Sequence, residues 1–159
     1  MNGAEYMKRF LIILCVLVLA LSVAGCGNKN VQIDLSEVKN TIISELEVAD
    51  PLDLPLERLQ DLYGITPDLV KNSACFITMG GAFPDEIVMV EAVDDTAVKT
   101  IAEKLEARLA DVKNQAQNYD AESFALLEKC EVRTTGSYVT LFISALSSEM
   151  QSVFAAATK

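Results

Sequence analysis

An α+β fold, with a four-stranded and mainly antiparallel sheet and helices packed on one face, is what this 159-residue sequence predicts. Three observations lead there. Apolar residues recur at helical spacing early in the chain and again over residues 98–112. Two pairs of short β-branched runs, 73–79 with 86–93 and 131–135 with 138–144, flank the second of these helices. Strand pairs set apart by a helix form antiparallel units, and the helices must then cover the sheet. The predicted order is α-α-β-β-α-β-β-α.

Asp34 followed by Glu37 makes a capping-box-like start, and Leu35, Val38, Ile42 and Leu46 mark one face of a first helix over about 35–48. Residues 50–64, "DPLDLPLERLQDLYG", predict a second short helix. Pro55 suits its first turn, Leu56, Leu59 and Leu62 its apolar face, and Gly64 its C-terminal cap. "ITPDLVKN" reads as a turn. "SACFITM" and "EIVMVEAV" then form a strand pair joined by "GGAFPD". Asp94 and Asp95 sit where a helix N-terminus favours negative charge, and Val98, Ile101, Leu105, Leu109 and Val112 line the inner face of a long helix to about residue 117. A short helix over 121–128 precedes the second strand pair, around Gly136. In "YVTLFIS", Val139, Leu141 and Ile143 alternate with Tyr138, Thr140 and Phe142. Met150, Val153 and Phe154 belong to a final helix that starts near Ser148.

The first thirty residues have a different character. Lys8 and Arg9 precede twelve uninterrupted apolar residues, Phe10 to Leu21. That length suits the apolar region of a signal peptide and falls short of the roughly 20 residues needed to cross a bilayer. "VAGC" follows, with a cysteine between Gly25 and Gly27. Residues 1–25 are therefore expected to be a lipoprotein signal peptide, with Cys26 the lipidated new N-terminus and 26–33 a tether to a domain over 34–159. Only a thiol makes the thioether, and two acyl chains hold a membrane where one is marginal. An uncleaved anchor and a general secretory signal are the competing readings, and Met7 is a second candidate start.

Without residues 1–25 the chain keeps 134 residues, 11 of them basic and 22 acidic, for a formal charge of −11. Such acidity excludes a nucleic-acid partner, whose affinity rests on cations neutralising phosphates. It also excludes flat adsorption on anionic lipid, so membrane attachment falls to the anchor on Cys26. Cys75 and Cys130 allow one disulfide, which an exported location permits; alternatively each acts as a small buried hydrophobe. With no histidine in the chain, the commonest base near neutral pH is missing and no zinc site is expected. The acids at 50, 53, 94 and 95 lack calcium-loop spacing.

Asp85 and Glu86, with Arg108 on the long helix, are a candidate charge site. Neighbours in a strand point to opposite faces, so the two acids cannot serve one substrate, and an ion pair between loop and helix is the structural alternative. Tyr63, Phe83, Tyr119 and Tyr138 are candidate aromatic anchors for a partner, or simply core. Cys75 sits among Ala74, Phe76 and Ile77, apolar surroundings that raise a thiol pKa. Neither a cofactor nor a metal is expected. At 134 residues the chain is also small for a two-lobed solute-binding protein.

Taken in order, the lipobox, "LYGI" at 62–65, "MGGAFPDEI" at 79–87, "EARL" at 106–109, "NYDAE" at 118–122 and "GSYVTLFIS" at 136–144 resemble the DUF4358 lipoproteins. These are small exported proteins found mainly in Firmicutes. The resemblance spans roughly residues 35–155 and implies location and fold without a mechanism. The expectation is an extracytoplasmic, membrane-anchored module that binds a protein or small ligand, with an envelope protein as partner. The alternative is a cell-envelope enzyme or enzyme accessory subunit.

Overall fold

The computed structural model describes residues 32–80, 84–119 and 121–158, all within a compact unit spanning Val31–Lys159. Helix α1 (Leu35–Glu45) starts where the Asp34 carboxylate accepts the N–H groups of Ser36 and Glu37, at 2.9 and 3.1 Å. It stops three residues short of the expected Val48 because Glu47 takes a left-handed φ of 51°. Strand β1 (Leu52–Leu54) and helix α2 (Leu56–Tyr63) follow, divided by Pro55, the N-cap of α2. Gly64, at φ 67°, closes α2 by donating to Gln60 O, while Ile65 N–H reaches Leu59 O. A 3₁₀ turn, Pro67–Leu69, leads into β2 (Val70–Ser73) and β3 (Cys75–Ile77).

The remaining elements are β4 (Glu86–Ala92), the 25-residue helix α3 (Asp95–Tyr119), α4 (Ala121–Leu127), β5 (Val132–Thr135), β6 (Tyr138–Ile143) and α5 (Ser147–Ala156). Asp94 carries its share of the α3 start, accepting the Ala97 N–H at 2.8 Å.

The fold is α+β with an antiparallel sheet, as expected, but the sheet has six strands rather than four. Its order is β1-β3-β4-β6-β5, with β2 also paired to β4. β2 and β3 follow one line along β4. Asn72 pairs with Glu91 and Phe76 with Ile87 in a single register, Ala74 between them donates to Met89 O, and Lys71 forms the only irregularity. The two additional strands are β1 and β2. One is three residues long between two prolines, and the other falls, all but Ser73, in the stretch "ITPDLVKN" that reads as a turn, because Lys71 and Asn72 lie on the exposed edge. Neither is long enough to show a two-residue period.

The helices cover both faces, not one. Every residue of β4 and β6 is buried. Val88, Val90, Val139, Leu141 and Ile143 turn to one side and pack with Leu59 of α2, with Ile101, Leu105 and Leu109 of α3, and with Leu127. Ile87, Met89 and Phe142 turn to the other and pack with Leu35, Val38 and Ile42 of α1 and Met150 and Phe154 of α5. Both parities of these strands are apolar, and a sheet apolar on both sides needs a helical layer on each. Among the described residues no helix is long and apolar enough to cross a membrane.

Candidate functional site

Glu86 is the first residue of β4 and shares the α3-facing side with Val88 and Val90. There it meets Arg108. Nε donates to Glu86 Oε2 at 3.0 Å, and a terminal guanidinium nitrogen donates to Oε1, a two-pronged pair. The carboxylate side chain is only 7% exposed and the guanidinium 30%. The bonds to Glu86 hold the Arg108 pKa above its ordinary value. Tyr63, the last residue of α2, is buried beside this pair. Burial foremost, and then the Glu86 charge, raise its pKa far above the ordinary phenol value, so the ring stays neutral. Its hydroxyl, close to that carboxylate, has no hydrogen bond of acceptable geometry and is the one such buried side-chain atom among the described residues.

Cys75 on β3 contributes to the same side of the sheet. Its thiol donates to Met89 O at 3.5 Å, and burial pushes it up to about 12. Chemically the cluster therefore holds a protonated thiol, a neutral phenol and a carboxylate matched by a guanidinium. That combination fastens α2 and α3 to the start of β4.

Asp85 goes to the opposite side, as strand alternation requires. Its N–H donates to the Thr78 side-chain Oγ1 at 3.4 Å, and its carbonyl accepts the Thr78 N–H at 3.1 Å. Half-buried, its carboxyl is pushed up from its ordinary value, with the Ser144 and Thr78 hydroxyls opposing that shift. Asp85 and Glu86 thus belong to separate environments.

A second arrangement lies at the other end of β4. Asn72, Glu91 and Tyr138 are paired across β2, β4 and β6 and share the α1 side. Lys71 Nζ bonds Glu91 Oε1 at 2.6 Å, and this pairing raises the lysine pKa. The Tyr138 hydroxyl accepts the Ile33 N–H at 2.9 Å, and its ring meets Phe154 edge-on at a centroid distance of 6.3 Å. Together with Gln32 and Asp34 these residues line an open groove of about 610 Å³. Of this set, sequence reasoning singled out only Tyr138. Lys71 lay in a stretch read as a turn, and Glu91 in a strand whose buried acid gave no outward sign.

Cys75 and Cys130 are both buried free thiols. Each fills space in the layer under α3, and Cys130 Sγ lies 3.8 Å from Leu126 O and 3.9 Å from Ser144 O. Cys26, the expected signal peptide and Phe83 lie outside the described residues, as does the side chain of Tyr119, whose backbone ends α3. Among the described residues no three histidine, cysteine or acidic side chains converge as a metal site.

A family model described as a domain of unknown function, DUF4358, matches residues 44–144. That span takes in Glu86, Arg108, Lys71, Glu91 and Tyr138, and leaves out Ile33, Asp34 and α5. No curated protein and no solved structure matches the chain.

Proposed function

This chain belongs to the DUF4358 family, and from that premise we propose that it is a lipid-anchored, extracytoplasmic binding module that takes an extended segment of an envelope protein. The observation that carries this reading is the groove lined by Lys71, Asn72, Glu91 and Tyr138. Its polar walls suit a polypeptide backbone with polar side chains. β1 pairs with β3 but ends where Pro55 opens α2, so β2 has β4 on one side and no strand on the other among the described residues. An unpaired strand edge beside a groove accepts an added strand through main-chain hydrogen bonds. The "VAGC" pattern before Gly27 supports the anchor, and the acidity of the chain supports attachment by lipid rather than by charge.

The test is site-specific photo-crosslinking in living cells, with the reactive side chain at Asn72 and a control at Glu103 on α3. A discrete adduct from position 72 that is absent from position 103 is the expected outcome. Equal yields at the two positions, or none at either, would remove the groove from consideration. Cys26→Ala should abolish incorporation of labelled fatty acid; unchanged incorporation would overturn the anchor.

A further inference from the structure

The chain passes along the groove on its way into α1. Ile33 is only 5% exposed and packs in the apolar layer of Leu35 and Val38. Its N–H is held by the Tyr138 hydroxyl at 2.9 Å. Gln32, Ile33 and Asp34 therefore form one wall of the groove and are pinned to another of its lining residues, Tyr138.

That wall lies close to the expected anchor. Cys26 stands seven residues before Ile33, and seven fully extended residues span at most about 25 Å. A folded unit of the length of Val31–Lys159 is about 35 Å across. The tether is thus shorter than the domain it carries. Whatever enters the groove does so within about 25 Å of the headgroups.

Charge decides between the two kinds of molecule found there, lipid and protein. In the groove the Lys71–Glu91 pair cancels, and Asp34 leaves one net negative charge. Asp68, just ahead of β2, and Asp94 and Asp95, just after β4, are exposed at the same end of the sheet. The first turns of α1 and α3 add Glu37 and Lys99, so acids outnumber cations at this end. Anionic headgroups are repelled by such a surface, and a basic polypeptide is attracted to it. The open edge of β2 also offers main-chain groups, which a polypeptide matches and a headgroup does not.

We propose that the groove takes the extracytoplasmic juxtamembrane segment of a membrane-embedded protein, extended and net basic, laid along β2. This deepens the binding function proposed above and rests on it: the anchor on Cys26 sets the height, and the groove supplies the contact. What it adds is the class of partner, a protein with a transmembrane span rather than a soluble envelope protein or a lipid.

The experiment carries the photo-crosslink at Asn72 through to the sequence of what it joins, by digesting the adduct from living cells and identifying the attached peptide by mass spectrometry. The peptide is expected to lie within about ten residues of the extracytoplasmic end of a transmembrane span, the combined length of the tether and β2. It should carry more lysine and arginine than acid. Asp34→Asn keeps the α1 cap, because asparagine caps as well as aspartate, and removes the net charge of the groove. The yield of the same adduct should then fall about two- to fivefold, as loss of one exposed charge pairing does. An adduct at position 72 that maps to a soluble protein, to lipid, or to a segment remote from any span overturns this inference and leaves the groove standing as a binding site. A yield unchanged by Asp34→Asn overturns the basic character of the segment. Absence of any adduct at position 72 removes the groove itself.

Discussion

Arg108 holds Glu86 with two nitrogens across the gap between α3 and β4, and the carboxylate it holds has almost no access to solvent. Removing one member of such a pair leaves a buried charge uncompensated, whereas replacing both by apolar groups removes the penalty as well as the attraction. Arg108→Met should therefore cost about 3–5 kcal/mol, and Glu86→Leu combined with Arg108→Met markedly less. Urea unfolding of the two variants checks this. A double variant less stable than the single would show that the pair contributes more than its own neutralisation.

Tyr138→Phe isolates the link between the groove and the chain entering α1. The substitution keeps the ring against Phe154 but strands the Ile33 N–H in a buried position. Loss of about 1–3 kcal/mol is expected, with faster proteolysis ahead of Asp34. Unchanged stability together with unchanged proteolysis would mean that water replaces the phenol.

Burial gives Cys75 a pH signature. Its ordinary value is 9.0 and burial raises it to about 12. Below about pH 9 the folded and unfolded chains both keep the proton, and the contribution of the neutral thiol is fully present. As pH rises further the unfolded chain releases the proton first, so stability falls toward the folded value near 12. Denaturation midpoints measured from about pH 8 to 11 should decline, and decline less in Cys75→Ala. Tyr63, also raised, adds a decline of the same sign that the Cys75 variant retains. The same burial predicts that iodoacetamide leaves Cys75 unmodified at neutral pH until the chain is unfolded.

Gly64→Ala tests the α2 cap. The residue sits at φ 67°, and an added Cβ would lie 3.4 Å from Lys104 Nζ, the end of a flexible side chain that can yield. The cost is thus conformational, about 1–2 kcal/mol for a left-handed residue with a Cβ. A thermal melt reads it directly. A loss well above that range would make the Lys104 contact, and not the backbone, the deciding factor.

Long local patterns were legible in the sequence. Ile101, Leu105, Leu109 and Val112 repeat over three turns, and all four lie in the layer under α3. The alternation in β6 was also readable, but its meaning was not. Tyr138, Thr140 and Phe142 form the second buried face and not a wet one, because α1 and α5 close over that side. β1 escaped notice because three residues between prolines carry no period, and its strand character comes wholly from pairing with β3. Glu86 and Arg108 were found together since each stood out on its own element. The groove was not, because it requires Ile33 to meet Tyr138 across 105 residues of chain. Tyr63 joins Glu86 by the same kind of long-range approach.

β4 carries one acid near each end, Glu86 toward α3 and Glu91 toward the α1 side, each paired with its own cation. Five residues of extended chain separate them by roughly 17 Å, with the filled width of the sheet between. That distance exceeds the reach over which substitutions usually couple, so changes at the two ends should add in free energy. The strand thereby works as a spacer: at that distance a change of charge at the groove should reach the Arg108 clamp only weakly, and each end keeps its own balance of acid and cation.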